Sequence, residues 1–126
     1  MAENQIRRGS TLLISGTHHN PNVSHLCIIL NDPPGTAPQQ VLYVPVITAR
    51  EKYDTTCVLE VGDHEFITHK SCVHYARADV RTVQHLEKLG SLKEPLRDDV
   101  LERVCGGIFD SPHSRPWIKE FYHKHN

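Results

Sequence analysis

The sequence predicts an α+β fold, a compact and strongly bent antiparallel sheet of five or six strands followed by two or three helices. Short β-branched and aromatic runs alternate with charged or glycine-containing turns between residues 41 and 76, which is typical of closely spaced antiparallel strands. From Val83 onward, apolar residues recur at helical spacing. The chain has 126 residues, which is the usual length of one domain.

Five strands are predicted from the apolar runs, at residues 7–15, 25–32, 41–48, 56–61 and 71–76, and residues 80–82 extend the sheet as a sixth. The second run, HLCIILND, is almost continuously apolar and is therefore expected in the centre of the sheet. Pro45 cannot donate a ladder hydrogen bond, so it favours an edge position or a bulge for the third strand.

Two helices follow from the spacing of apolar residues. Val83, Leu86 and Leu89 form one apolar face, with Gly90 as a candidate C-cap. A second helix is predicted at residues 95–105, with Gly106-Gly107 weakening or ending it. In the tail, the side chains of Trp117, Ile118, Phe121 and Tyr122 could share one side of a short helix, and docking on its own domain is favoured over a hook for a partner.

Composition narrows the function classes. Lys plus Arg number 14 and Asp plus Glu number 15, so nucleic-acid binding would need a local basic patch, because the net charge is −1. The 10 histidines make the charge sensitive to pH near neutrality. The four cysteines form no CxxC pair and favour buried, reduced thiols. The N-terminus lacks a secretory h-region and no run is long enough to span a membrane, so a cytoplasmic protein is predicted.

Five segments in order resemble the PemK/MazF group of bacterial toxins: RRGSTLLI, HLCIILND, VLYVPVIT, HKSCV and VRTVQHLEKLGSLKEPLRDDVLERV. The resemblance covers residues 7–109 and implies a single domain over residues 1–126. It implies an SH3-like barrel at about 7–82, a helical part at about 83–109 and a tail at 110–126. It further implies metal-independent cleavage of single-stranded RNA, without a cofactor, by a homodimer that a small antitoxin protein inhibits.

The chain departs from the family at the charged positions. His25 stands where the family has an arginine, and Leu26 where it has a proline. His69 and Ser71 replace an arginine and an acid, and Ser10 replaces another acid. The usual cleavage residues are therefore exchanged for histidine and serine, which would move any activity to a different set of side chains.

Histidines and basic residues on the loops can supply such a set. RNA cleavage by the 2′-hydroxyl needs a base, an acid and a cation, and two histidines can serve as base and acid. We expect His69 and either His18 or His19 to be that pair. Lys70 or Arg50 would stabilise the developing charge, and Thr48 would position the phosphate. The candidate RNA-binding residues are Arg50, Lys52, His25 and Ser71.

Three alternatives compete with this enzyme. The first is a non-catalytic SH3-like module that binds a protein or nucleic acid, which the missing arginine and acid favour. The second is a metal site of His64, His69 and His74, but their spacing of five alternates strand faces and no HExxH motif is present, so no metal is expected. The third is a cysteine nucleophile, but Cys72 lies in an apolar alternation typical of an inert thiol.

Overall fold

The computed structural model describes residues 6–15, 24–49 and 54–126. It confirms the α+β class. The strands are β1 Thr11–Ser15, β2 Ser24–Ile29, β3 Gln40–Thr48, β4 Val58–Leu59, β5 Ser71–Val73, β6 Asp79–Thr82 and β7 Gly90–Lys93. The helices are α1 Val83–Leu89, α2 Asp98–Asp110 and α3 Pro116–His125, and a 3₁₀ turn spans Tyr75–Arg77.

The strands of the described residues form one open antiparallel sheet. Its order is β4-β5-β3-β2-β1-β7, with β6 also paired to β3. The prediction of a closed barrel is therefore wrong, because β4 and β7 lie at opposite ends and only β1 pairs with β7. The sheet has seven strands instead of five or six. The additional strand, β7, has the sequence GSLK and lacks the β-branched residues that usually indicate a strand.

The long strand β3 uses both of its edges. One edge pairs with β2, where Pro45 lies opposite Cys27. The other edge pairs with β6 as far as Tyr43 and with β5 from Val46 onward. Pro45 lies in the gap between these partners, and its carbonyl accepts a hydrogen bond from the His74 amide at 2.8 Å. The predicted edge position is wrong, because β3 is paired along both of its edges. Proline is tolerated in this central strand because no partner strand needs an amide hydrogen at the gap.

Apolar side chains fill both faces of the sheet. Because successive strand residues point to opposite faces, Ile28 joins one core cluster and Ile29 the other. The larger cluster packs beneath α2 and α3, and the smaller one packs against α1. Strand β2 lies between β1 and β3 and is buried on both faces, which confirms its predicted central position. All four cysteines are buried free thiols, as expected.

The helices agree with the apolar spacing but not with every predicted boundary. Helix α1 spans Val83–Leu89 with Gly90 as its C-cap, as predicted. Helix α2 starts three residues later than expected and continues through Gly106 and Gly107 to Asp110. The predicted end at the glycine pair is wrong, because α2 packs on the sheet and this packing offsets the weak helix propensity of glycine.

The C-terminal helix docks on its own domain. In α3, Ile118 is fully buried in the larger core, and Phe121 and Tyr122 pack against it. Trp117 is 44% exposed, so three of the four predicted side chains share the docked face. None of the helices that the structure describes is long and apolar enough to cross a membrane.

Asp54 joins the segment before β4 to the end of α2. Burial by itself would raise the pKa of Asp54, but hydrogen bonds donated by the Ser111 hydroxyl and by the Thr56 hydroxyl and amide outweigh it and lower the pKa. A carboxyl group whose pKa is lower in the folded state stabilises the fold above its unfolded pKa, and this contribution disappears as the pH falls through the folded pKa.

We therefore expect Ser111→Ala to lower the melting temperature more at pH 7 than at about pH 3, below the ordinary pKa of an aspartate. Thermal unfolding followed by circular dichroism at several pH values measures this. Ser91→Ala, at an exposed serine of β7, is the control. A deficit in Ser111→Ala that stays constant across the pH range would contradict the proposed role of the carboxylate.

Candidate functional site

A cleft of about 430 Å³ opens where β2, β3 and the start of β5 meet. We call it the histidine cleft. It contains four of the residues predicted from the sequence, and its full lining is Leu13, His25, Leu26, Val46, Ile47, Thr48, Phe66, Ile67, His69 and Ser71. Sheet pairing explains why these distant residues meet: Thr48, the last residue of β3, lies opposite Ser71, the first residue of β5.

His69 lies on the exposed rim of the histidine cleft, and hydroxyl groups contact both of its ring nitrogens. Thr48 Oγ1 is 2.8 Å from Nε2, and Thr68 Oγ1 is 3.3 Å from Nδ1. The Ser71 hydroxyl donates to the His69 carbonyl at 2.9 Å. The Ala49 amide donates to the Lys70 carbonyl at 3.1 Å, so the turn that carries His69 is tied to the end of β3. The imidazole is therefore held in place and still accessible to solvent.

Ser71 is only 5% exposed, and its hydroxyl donates to the backbone carbonyl of His69. Its predicted role in RNA binding stays a prediction. Lys70 is exposed but does not line the histidine cleft. His18, His19, Arg50 and Lys52 lie outside the described residues, so their predicted roles stay predictions.

His25 connects the histidine cleft to a second depression. His25 lies opposite Ile14 of β1 in the sheet, and its half-buried side chain lines both depressions. The second depression, of about 510 Å³, is called the arginine groove and is defined by His25, Tyr43, Arg77, Asp79, Arg81 and Arg115. No lysine or arginine belongs to the described lining of the histidine cleft, whereas three arginines line the groove.

The arginine groove was not predicted from the sequence. Its guanidinium groups come from the 3₁₀ turn, from β6 and from the residue before α3, which are adjacent only after folding. One local signal was present: Asp79 and Arg81 are two residues apart in a strand and so share a face. Arg81 Nη1 contacts Asp79 Oδ2 at 2.8 Å.

The three histidines spaced five apart do not assemble into a metal site. In the parts of the chain that the structure describes, no group of three or more His, Cys, Asp or Glu side chains is arranged to hold a metal ion. His64 is buried, its Nδ1 accepts from the Phe66 amide at 3.1 Å, and its Nε2 contacts the Glu94 carbonyl at 2.6 Å. It therefore links the loop before β5 to the segment after β7. Burial and the nearby Arg77 guanidinium lower the pKa of His74.

Cys72 has the properties of an inert core thiol. It is fully buried in β5, and burial raises its pKa. A raised pKa keeps the sulfur protonated and therefore poorly nucleophilic at neutral pH. The interpretation of Cys72 as a core residue is preferred on this ground.

The fold and the site together define an α+β protein in which an open antiparallel sheet carries a histidine cleft beside an arginine groove. Neither protein-family models nor curated protein sequences give a match to this chain.

Proposed function

We propose that this protein is a metal-independent endoribonuclease of the toxin type that cleaves single-stranded RNA. The observation that supports it most is the histidine cleft, in which His25, Thr48 and His69 line one solvent-accessible depression. Two imidazoles can take and give a proton near neutral pH, and a hydroxyl can orient one of them. We propose His25, which lines the same depression, as a partner of His69; the predicted partners His18 and His19 lie outside the described residues and stay predictions.

The reaction that fits these groups is transesterification within the RNA strand. The 2′-oxygen attacks the adjacent phosphorus while one imidazole takes its proton. The bond from phosphorus to the 5′-oxygen then breaks, and the second imidazole, protonated, gives a proton to the leaving oxygen. The products are a 2′,3′-cyclic phosphate end and a 5′-hydroxyl end, and no redox change or metal is required.

Other side chains at the histidine cleft would bind the substrate. Phe66 is 41% exposed on the lining, so a nucleobase could stack on its ring. Lys93 Nζ lies 5.4 Å from the centre of the Phe66 ring and adds positive charge at this rim. Lys70, which is exposed, or Arg50 would stabilise the charge on the phosphorane.

The ordered sequence motifs support placing the chain near the PemK/MazF-like toxins with their SH3-like fold. The strand sequence β1-β2-β3 and the C-terminal helices agree with that resemblance, although the sheet is open. By the same resemblance we propose a cytoplasmic homodimer whose histidine cleft a small antitoxin protein covers.

The decisive experiment is incubation of the full chain with a long single-stranded RNA in the presence of a chelator, followed by analysis of the product ends. We expect cleavage with 2′,3′-cyclic phosphate ends and a bell-shaped pH profile between about pH 5 and 8. Absence of cleavage at every pH in that range would eliminate the proposed activity. Cleavage that a chelator abolishes would replace it with metal-dependent hydrolysis.

The Thr48 hydroxyl provides a sharper test of how His69 is held. Thr48→Val keeps the side-chain shape and removes the group that lies 2.8 Å from Nε2. Because one such hydrogen bond contributes about 1 kcal/mol, we expect a fall in kcat of about fivefold to tenfold. Thr48→Ser, which keeps the hydroxyl, should retain most of the activity. Equal activity of Thr48→Val and wild type would show that this contact does not orient the imidazole.

The second candidate function is a non-catalytic module that binds nucleic acid. The replacement of the family's arginine and acid by His69 and Ser71 favours it, as do the three arginines in a groove outside the histidine cleft. This candidate predicts salt-dependent binding of single-stranded RNA without any cleavage. The cleavage assay above, run together with a binding assay, separates the two functions.

A further inference from the structure

We propose that the arginine groove binds the phosphodiester backbone of single-stranded RNA, next to the phosphate held in the histidine cleft. This inference rests on the proposed function, since it states where the same strand continues. His25 lines both depressions. A strand that passes His25 on leaving the histidine cleft therefore enters the arginine groove directly.

The charge of the groove suits a polyanion. Among the described residues, Arg77, Arg81 and Arg115 line the groove with one carboxylate, that of Asp79, in a chain whose net charge is −1. Both oxygens of that carboxylate are engaged: Oδ1 accepts from the Val80 amide at 2.8 Å, and Oδ2 contacts Arg81 at 2.8 Å. Three guanidinium groups and one carboxylate leave the described lining of the groove with a net charge of +2, which makes it the local basic patch that the composition required.

Contacts with the protein hold Arg115 in place before any ligand binds. One guanidinium nitrogen donates to the Ala78 carbonyl, and Arg115 Cζ lies 5.0 Å from the centre of the Trp117 ring. A guanidinium that is already immobilised loses little side-chain entropy on binding, and its planar donors fit phosphate oxygens in pairs. Arg115 is therefore placed for recognition of a phosphate.

Tyr43 provides an uncharged hydroxyl at the same groove. Burial raises the pKa of Tyr43, and the Arg81 and Arg115 guanidinium groups act in the opposite direction, as expected if both lie near the phenol. The raised pKa keeps the Tyr43 hydroxyl protonated, and Arg81 and Arg115 line the same groove. Such a hydroxyl can donate to a phosphate oxygen while the cations balance its charge.

The inference also explains how a cleft without a lysine or arginine in its described lining could hold RNA. Most of the affinity of proteins for nucleic acid comes from neutralised phosphates. In this arrangement the arginine groove supplies that affinity, and the histidine cleft supplies the proton transfers. Removing groove arginines should therefore weaken RNA binding more than it slows the chemical step.

The test uses a 2′-O-methyl RNA oligonucleotide of about twelve nucleotides, which cannot be cleaved because the attacking hydroxyl is blocked. Its Kd is measured at several salt concentrations for the wild type and for Arg77→Gln/Arg81→Gln. We expect Kd to rise at least about tenfold at low salt. The logarithm of the association constant falls as the logarithm of the salt concentration rises. The steepness of this dependence should decrease by about 1.4, since each of the two lost phosphate contacts with a single strand removes about 0.7.

Arg97→Gln is the matched control. Like Arg81, Arg97 is an exposed arginine that pairs with an aspartate two residues away, Asp99, but it lies outside the groove. This variant should bind the oligonucleotide as the wild type does. Equal affinity and equal slope for Arg77→Gln/Arg81→Gln, Arg97→Gln and wild type would overturn the inference, as would a failure of the wild type to bind.

Asp79→Asn tests the inference in the opposite direction and does not depend on the folding of the arginine variants. It removes the carboxylate found in the described lining of the groove, so binding of the oligonucleotide should tighten by about threefold at low salt. Unchanged or weaker binding by this variant would count against RNA in the groove. A poly-glutamate peptide that competed as well as RNA of equal charge would instead assign the groove to an acidic protein segment.

Failure of the proposed catalysis and failure of this inference give different results. If the wild type never cleaves RNA but binds it through Arg77 and Arg81, the groove assignment stands and the ribonuclease is rejected. If the wild type cleaves RNA and the groove variant has the same KM and kcat, the cleft is catalytic and the groove assignment is rejected. A raised KM with an unchanged kcat supports both.

Discussion

His69→Ala should slow cleavage of single-stranded RNA by about a hundredfold or more, because a general acid or base contributes a factor of this size. The variant removes an exposed imidazole that Thr48 and Thr68 hold at the rim of the histidine cleft. The measurement is single-turnover cleavage from pH 5 to pH 8. With one imidazole gone, the bell-shaped profile of the wild type should lose one of its two limbs.

His123→Ala is the control for the loss of a histidine, because His123 is exposed on α3 and does not line the histidine cleft. It should cleave at the rate of the wild type. His25→Ala should resemble His69→Ala, and the double variant should be little slower than either single one, since groups that act as a unit are not additive. Full activity in His69→Ala would eliminate this histidine as the acid or the base.

Gly107→Ala should be among the most destabilising single substitutions in the chain. A Cβ atom at Gly107 would lie 1.9 Å from Tyr75 Oη and 2.4 Å from Cζ, so the buried ring or helix α2 must move. That movement also endangers the hydrogen bond that Tyr75 donates to the Val104 carbonyl at 2.6 Å. Overpacking and a buried polar group left unpaired each cost about 1–3 kcal/mol, so we expect a loss of about 3 kcal/mol or more.

The adjacent glycine is the matched control for this substitution. A Cβ at Gly106 would meet no atom within 4 Å, and the residue is exposed in the same helix. Gly106→Ala should therefore raise the free energy of unfolding by up to about 1 kcal/mol, because alanine is the better helix former. Urea unfolding measures both variants. Effects of the same sign and size would show that contact with Tyr75 does not decide the cost.

A second variant traces the loss to the hydroxyl. Tyr75→Phe deletes the atom that would lie closest to the new methyl group. Gly107→Ala should therefore cost less in a Tyr75→Phe background than in the wild type, so that the double variant loses less stability than the sum of the two single losses. No coupling would place the strain elsewhere in α2.

The site was only partly predictable from the sequence. Thr48, His69 and Ser71 were chosen because they lie at strand ends, and pairing of β3 with β5 does bring them together. His25 was expected to bind RNA, and the structure places it at both depressions. The arginine groove could not be foreseen, because Arg115 reaches it only when α3 docks against the sheet.

The sequence by itself determined most of the strand and helix segments, with β7 as the exception, since these follow from local alternation and helical spacing that need no knowledge of distant contacts. Only the tertiary structure decided that the sheet stays open, that Pro45 lies in a central strand and that α2 continues through Gly107. Each of these features depends on a partner far along the chain. The edge strand β7 pairs with β1, Pro45 lies in the gap between the β5 and β6 pairings of β3, and Gly107 packs against Tyr75. Long-range packing can override local propensity, because the free energy of buried contacts exceeds the small preferences of single residues.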